Sequence, residues 1–197
     1  MIDTIKAELI RKGIHILIAL TPGLAALNHS HTALLLMGGV FFYALVEGLR
    51  FVGFAPPFIS SITNKVIRGR DHGRFELGPV TLGLGALLAI LLFSPPAAAV
   101  AIYILAFADS AATLTGKFLG RIRPAFLAGK SFEGSLACFA VAALICFHAF
   151  RDWRIAIATG IVSMTVEAFS VRDFDNLLLP LAAGFTATLA AFVLHIH

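Results

Sequence analysis

Long apolar stretches alternate with short polar ones along this 197-residue chain, at the length expected of helices that cross a bilayer. The pattern predicts spans at about 12–28, 31–52, 79–95, 97–119, 134–150, 154–171 and 176–195. The apolar runs are continuous, unlike the alternation of a barrel strand, and backbone groups in hydrocarbon must be satisfied internally. An all-α polytopic bundle of about seven transmembrane helices is therefore expected, forming one domain over residues 1–197. The first span is the weakest, because it is short and Thr21-Pro22 interrupts it. Its basic start resembles a signal peptide, but no persuasive small-residue cleavage site follows, so it reads as a retained helix. Pro95-Pro96 marks a tight turn. The segment from about 53 to 78 is the longest polar connection, and a helix lying along the membrane surface is expected within it.

Composition strengthens this reading. A hydrophobic fraction of 59% with 13% charged residues and a mean hydropathy of +0.92 lie outside the range of a soluble domain. Cys138 and Cys146 fall in one apolar stretch and read as reduced packing residues; no zinc-type Cys/His spacing occurs. The placement of charge says more than its total. With the N-terminus inside, thirteen of the fifteen Lys and Arg lie in inner segments, leaving Arg151 and Arg154 outside. The expected topology has a cytoplasmic N-terminus and the His195/His197 end on the far side. Nothing in the pattern points to nucleic acid; the expected partner is the lipid bilayer. Small-residue helix faces could serve either the bundle or a homodimer.

Three motifs could carry chemistry. Asp109, Thr113, Gly116 and Gly120 recur on one helix face, with Lys117 and Arg121 adding positive charge at its end. Spaced glycines usually mark packing, but an intramembrane Asp on the same stripe points to a site. Next, Gly129-Lys130-Ser131-Phe132-Glu133-Gly134-Ser135 opens a span. It fails the P-loop pattern at Pro124 and no strand precedes it, yet a glycine-flanked turn feeding a helix can offer N–H donors, and Lys130 a cation, to phosphate. The same residues also suit an ordinary helix start with Ser131 as cap. Third, Glu167 shares a small polar face with Gly160, Ser163 and Ser170, and Arg172, Asp173, Asp175 and Asn176 follow. Three carboxylates and an Asn within ten residues suit Mg²⁺, which takes oxygen ligands and shares them with substrate phosphates. Supporting candidates are Glu8, Arg11, Lys12 and His15 on one helix face, the Glu47–Arg50 pair, and Arg74 with Glu76 before Gly78-Pro79.

Taken in order, these pieces resemble the dolichol kinase and phytol kinase family, the CTP-dependent lipid-alcohol kinases that include a diacylglycerol kinase branch. The matching residues are Glu8, Arg11-Lys12 and His15; Glu47; Arg74-x-Glu76-x-Gly78-Pro79; Asp109-Ser-Ala-Ala with Gly116-x-x-x-Gly120-Arg121; Lys130-Ser131-x-Glu133-Gly134-Ser135; and Glu167 with Asp175-Asn176-Leu177 and Pro180. The family's usual glycine before the aspartate is Ala108 here. The resemblance implies transfer of the γ-phosphoryl group of CTP to the hydroxyl of a membrane lipid alcohol: a polyprenol or dolichol, phytol, or diacylglycerol. In that scheme Asp109 and Asp175 hold Mg²⁺, and Glu167 is a third ligand or an orienter. Lys117, Arg121 and Lys130 contact phosphates, backbone N–H groups near Gly129 and Gly134 assist, and Asp173 or Glu133 is the general base. A phosphatidate cytidylyltransferase-like enzyme would also bring CTP and metal to a lipid. A small transporter would need polar residues through the midplane and access from the outer side, and the outer halves of these spans are nearly bare.

Overall fold

Punctuation in the sequence sets where each helix begins and ends. The structure, a computed structural model, describes residues 11–54, 75–127, 129–171 and 173–194. Residues 11–16 are α-helical, Leu17–Leu20 form a 3-10 turn, and Thr21–Leu27 resumes the α-helix with Pro22 in its first turn. The interruption read from Thr21-Pro22 is therefore real, and it starts one turn earlier. Six longer helices follow: α1 (His29–Phe51), α2 (Gly78–Leu92), α3 (Pro95–Phe118), α4 (Phe132–Phe150), α5 (Trp153–Phe169) and α6 (Asp175–Val193). No strand occurs among the described residues. The surface helix expected between 53 and 78 falls almost wholly outside them, as do Glu8, Arg74 and Arg172.

Local chemistry explains the boundaries. The Asn28 side chain accepts the His31 amide at 2.9 Å and starts α1. Pro95 and Pro96 occupy the first turn of α3, where a missing N–H costs nothing. Between α4 and α5 only Arg151 and Asp152 intervene. Arg151 takes the left-handed conformation (φ 55°), and the Asp152 carboxylate accepts the Arg154 amide at 2.7 Å. So short a link forces α4 and α5 to run antiparallel. Asp173 (φ 66°) makes the corresponding turn into α6.

Four helices, α1, α3, α4 and α6, are long and apolar enough to cross a bilayer. α2, α5 and the interrupted N-terminal segment are shorter, so span length alone does not reach the expected seven. Leu34, Leu35, Phe41, Phe42, Leu144, Phe185 and Phe192 are 61–72% exposed. In water such a surface would drive association; hydrocarbon solvates it at no cost.

α3 is the central helix. Ile102, Ile104 and Leu105 on it are fully buried. It packs against α6 through Ala183 and Ala187, whose small side chains let helices approach where no hydrophobic force drives them together. The α2–α6 crossing is closer still. A Cβ on Gly85 would lie 2.2 Å from the Asn176 carbonyl oxygen. Pro180, four residues on, has no N–H to bond that carbonyl, so it turns out toward the glycine. The serpentine path gathers the end of α1, the start of α2, the end of α3, the start of α4, the end of α5 and the start of α6 at one end of the bundle.

Candidate active site

Asp109 anchors the site, and a register shift in α3 sets its position. Residues Ile104–Ala108 form a π-turn, and the Asp109 amide bonds Ile104 O, five residues back. Leu105 O thereby loses its usual donor four residues on; His15 Nε2 approaches it instead, at 2.9 Å. The same His15 nitrogen lies 3.1 Å from Asp109 Oδ2, which also accepts from Lys12 Nζ. Lys12, His15 and Asp109 are all buried. A carboxylate out of water is tolerable only when paired and hydrogen-bonded, and this one is both. All these bonds fall on Oδ2. Oδ1 has no partner among the described residues and is not sealed from the cavity beside it.

Across the cavity, Lys130 Nζ bonds the Glu167 backbone carbonyl and pairs with Glu167 Oε1 at 3.2 Å. Ser135 donates to Glu167 Oε2 at 3.2 Å. Asp175 accepts the Asn176 amide at 3.0 Å, has no ion pair among the described residues, and lies within Coulombic reach of Asp109, Lys130 and Lys12. Asn176 in turn donates to Gly78 O at 3.2 Å and to Thr81 Oγ1 at 3.3 Å, which fixes the start of α6 against α2.

These groups share one cavity of about 680 Å³. Its acids are Asp109, Glu167, Asp173 and Asp175; its bases are Arg11, Lys12, Lys117, Arg123 and Lys130. Gly116, Gly129, Ser131, Gly134 and Asn176 also line it. Residues from the N-terminal segment, from 109–134 and from 167–176 thus meet in one space. Among the described residues, no three His, Cys, Asp or Glu side chains converge as a ready-made metal cage.

Several sequence-derived candidates sit elsewhere. Glu133 does not line the cavity; its carboxylate accepts the Arg121 amide at 2.9 Å and the Ile122 amide at 3.1 Å, holding the α3–α4 loop. Gly120 and Arg121 also lie off the cavity wall. Gly120 serves close packing: a Cβ there would lie 2.3 Å from Gly116 O and 2.6 Å from Ser131 Oγ. The Gly134 amide is already taken by Ser131 Oγ at 3.1 Å, so the start of α4 is an ordinary capped helix. Glu47 is fully buried but engaged by Arg50 and by the Glu76 amide at 2.9 Å, an anchor between α1 and the entry to α2.

Sequence reasoning missed the place of one cavity residue. Arg123 appears there only as a topology charge, yet it lines the cavity and donates to Gly129 O at 2.7 Å and Gly116 O at 2.5 Å. Its place between the two glycine motifs was the available signal. Ser170 also lines the cavity, and its place one turn beyond Glu167 had indicated the shared face.

Parts of the chain are similar to known proteins. The chain is 30% identical over 132 residues to an uncharacterized protein of Methanocaldococcus jannaschii, covering 66% of this chain and 65% of that one. It is 36% identical over 85 residues to CTP-dependent diacylglycerol kinase 1 of Eremothecium gossypii, covering 43% of this chain and 26% of that one. The chain thus spans under two thirds of the first relative's length and about a quarter of the second's. No protein-family profile and no solved structure matches.

Proposed function

We propose that this protein is a CTP-dependent kinase that transfers the γ-phosphoryl group to the hydroxyl of a membrane lipid alcohol at the cytoplasmic face. One observation carries the proposal. Four carboxylates and five cations, drawn from distant parts of the chain, line one cavity at one end of an otherwise apolar bundle. Charge is too costly in such a setting to gather without a use. The similarity to a CTP-dependent diacylglycerol kinase supports the donor and puts diacylglycerol first among the alcohols; polyprenols and phytol follow.

The donor set suits a hard divalent cation. Asp109 Oδ1 and the Asp175 carboxylate are oxygen donors without a cationic partner on the cavity wall. Mg²⁺ needs one or two such carboxylates, its remaining positions filled by water and phosphate. Asp109 and Asp175 would hold the ion, with Glu167 as orienter through Lys130. When bound, the ion would neutralise triphosphate charge that five cations, partly balanced by four carboxylates, do not cover.

The remaining parts do the positioning on which phosphoryl transfer depends. Lys130 and Lys117 would contact phosphate oxygens, with Arg11 and Arg123 at the rim. The alcohol oxygen forms the new bond to the γ phosphorus as the bond to the CDP oxygen breaks, and the hydroxyl proton passes to a carboxylate. Asp173 takes that role here, supported by its position on the cavity wall, where Glu133 is occupied by loop amides. The lipid keeps its chain in hydrocarbon and brings its hydroxyl sideways to the cavity.

The test uses purified protein in detergent with a panel of lipid alcohols and CTP labelled at either the α or the γ phosphate. Label from the γ position alone should enter lipid, and CTP should outperform ATP. Label from the α position in lipid would make the protein a cytidylyltransferase instead.

A further inference from the structure

We infer that His15 and the π-turn at Ile104–Ala108 act as one positioning device that fixes the Asp109 carboxylate, which makes His15 a positioning residue of this site. The inference rests on the kinase reading for its consequence, and on the following geometry for its substance. His15 Nε2 faces two oxygens at once, Leu105 O at 2.9 Å and Asp109 Oδ2 at 3.1 Å. A carbonyl oxygen can only accept, so Nε2 must carry the hydrogen and share it. A bare nitrogen lone pair there would face two oxygens with nothing to bind them.

The two acceptors share one cause. The π-turn moves the Asp109 amide onto Ile104 O, and that shift both re-aims the Asp109 side chain and strips Leu105 O of its helical partner. A one-residue slip turns a helical side chain by roughly 100°. His15 bonds the stripped carbonyl and the re-aimed carboxylate together, so it stabilises the slipped register over a regular helix. It also holds Oδ2, leaving Oδ1 toward the cavity. Lys12 neutralises the carboxylate but, among the described residues, makes no hydrogen bond to the π-turn backbone; the register is held through His15. Outer partners of this kind, which orient a ligating group without touching substrate, change metal affinity or rate by about 10–100-fold when removed.

Three measurements on the full chain test this. In ¹⁵N-histidine spectra of micelle-embedded protein, the signal lost in His15→Gln should show a protonated Nε2; a neutral ring protonated at Nδ1 would overturn the inference, whatever the activity. Second, His15→Leu should weaken Mn²⁺ binding in the presence of CTP, read by paramagnetic resonance, about 10–100-fold. It should lower kcat by a similar factor while KM for the lipid alcohol stays within about twofold. Third, His15→Gln, which keeps an N–H donor at similar reach, should recover most of both. Unchanged Mn²⁺ affinity and kcat in the Leu variant, or no recovery in a folded Gln variant, would also overturn it. Should wild-type protein bind Mn²⁺ and CTP in the expected order of variants yet transfer no phosphate, the positioning device stands and the kinase reading fails.

Discussion

The two ends of this bundle are built from the same helices and differ in almost every chemical respect. At one end Asp109, Lys130, Glu167 and Asp175 share a cavity, with Lys12 and His15 fastened to Asp109. At the other end the charges among the described residues are Arg151, Asp152 and Arg154, confined to a two-residue link and the first turn of α5. Two of them pair locally: Arg154 Nη2 lies 2.8 Å from Asp152 Oδ2, and the same carboxylate caps α5. Charges at the far end finish a helix; at the near end Lys12 meets Asp109 across 97 positions of sequence. Long-range convergence, more than charge itself, separates a site from a surface in this fold.

Substitutions at the two ends should therefore behave differently. The largest effect is expected from Asp109→Asn, which keeps shape and removes the charge. Turnover should fall at least about a thousandfold, while the protein still extracts and runs as a folded species in size-exclusion chromatography. Chelation of divalent cations should abolish transfer reversibly, with activity restored by added Mg²⁺; activity that survives chelation would remove the metal from the account. Lys130→Met should cost about a hundredfold in kcat/KM for CTP, with a smaller change for the lipid. Gly85→Ala should lower thermal stability, since the added Cβ meets the Asn176 carbonyl with no room to move.

The far end supplies the smallest effect. Asp152→Ala should leave kcat and both KM values unchanged and lower thermal stability slightly through the lost cap. The Arg154 side chain, then its amide, hold the Asp152 carboxyl down at about 2. A depressed acid stabilises the folded state fully above its unfolded value of roughly 4 and loses that contribution as pH falls toward 2. Wild type and Asp152→Ala should accordingly converge in melting temperature at the acid end of that window.

The same contrast shows what could be read from sequence. Helix order and the gathering of charge at one end were legible, because apolar runs and the charges between them are local patterns. That Asp109 and Glu167 share small-residue helix faces followed from helical spacing, and the cost of charge in lipid pointed them inward. The π-turn was not legible. Ile-Leu-Ala-Phe-Ala carries no signature of a slipped register, and only the contact with His15, ninety residues away, explains it. Glu133 and Arg123 were hidden for the related reason that a loop's side chains choose partners by tertiary position. One was expected in the chemistry and holds amides; the other was counted for topology and lines the cavity.

The most direct test of the central claim is calorimetric titration of CTP with Mg²⁺ into wild-type protein, Asp109→Asn, Asp175→Asn and Asp152→Ala. Metal-dependent binding that is lost in both near-end variants and intact in the far-end one is the predicted result. Equal binding by all four proteins, or none by the wild type, would contradict the account.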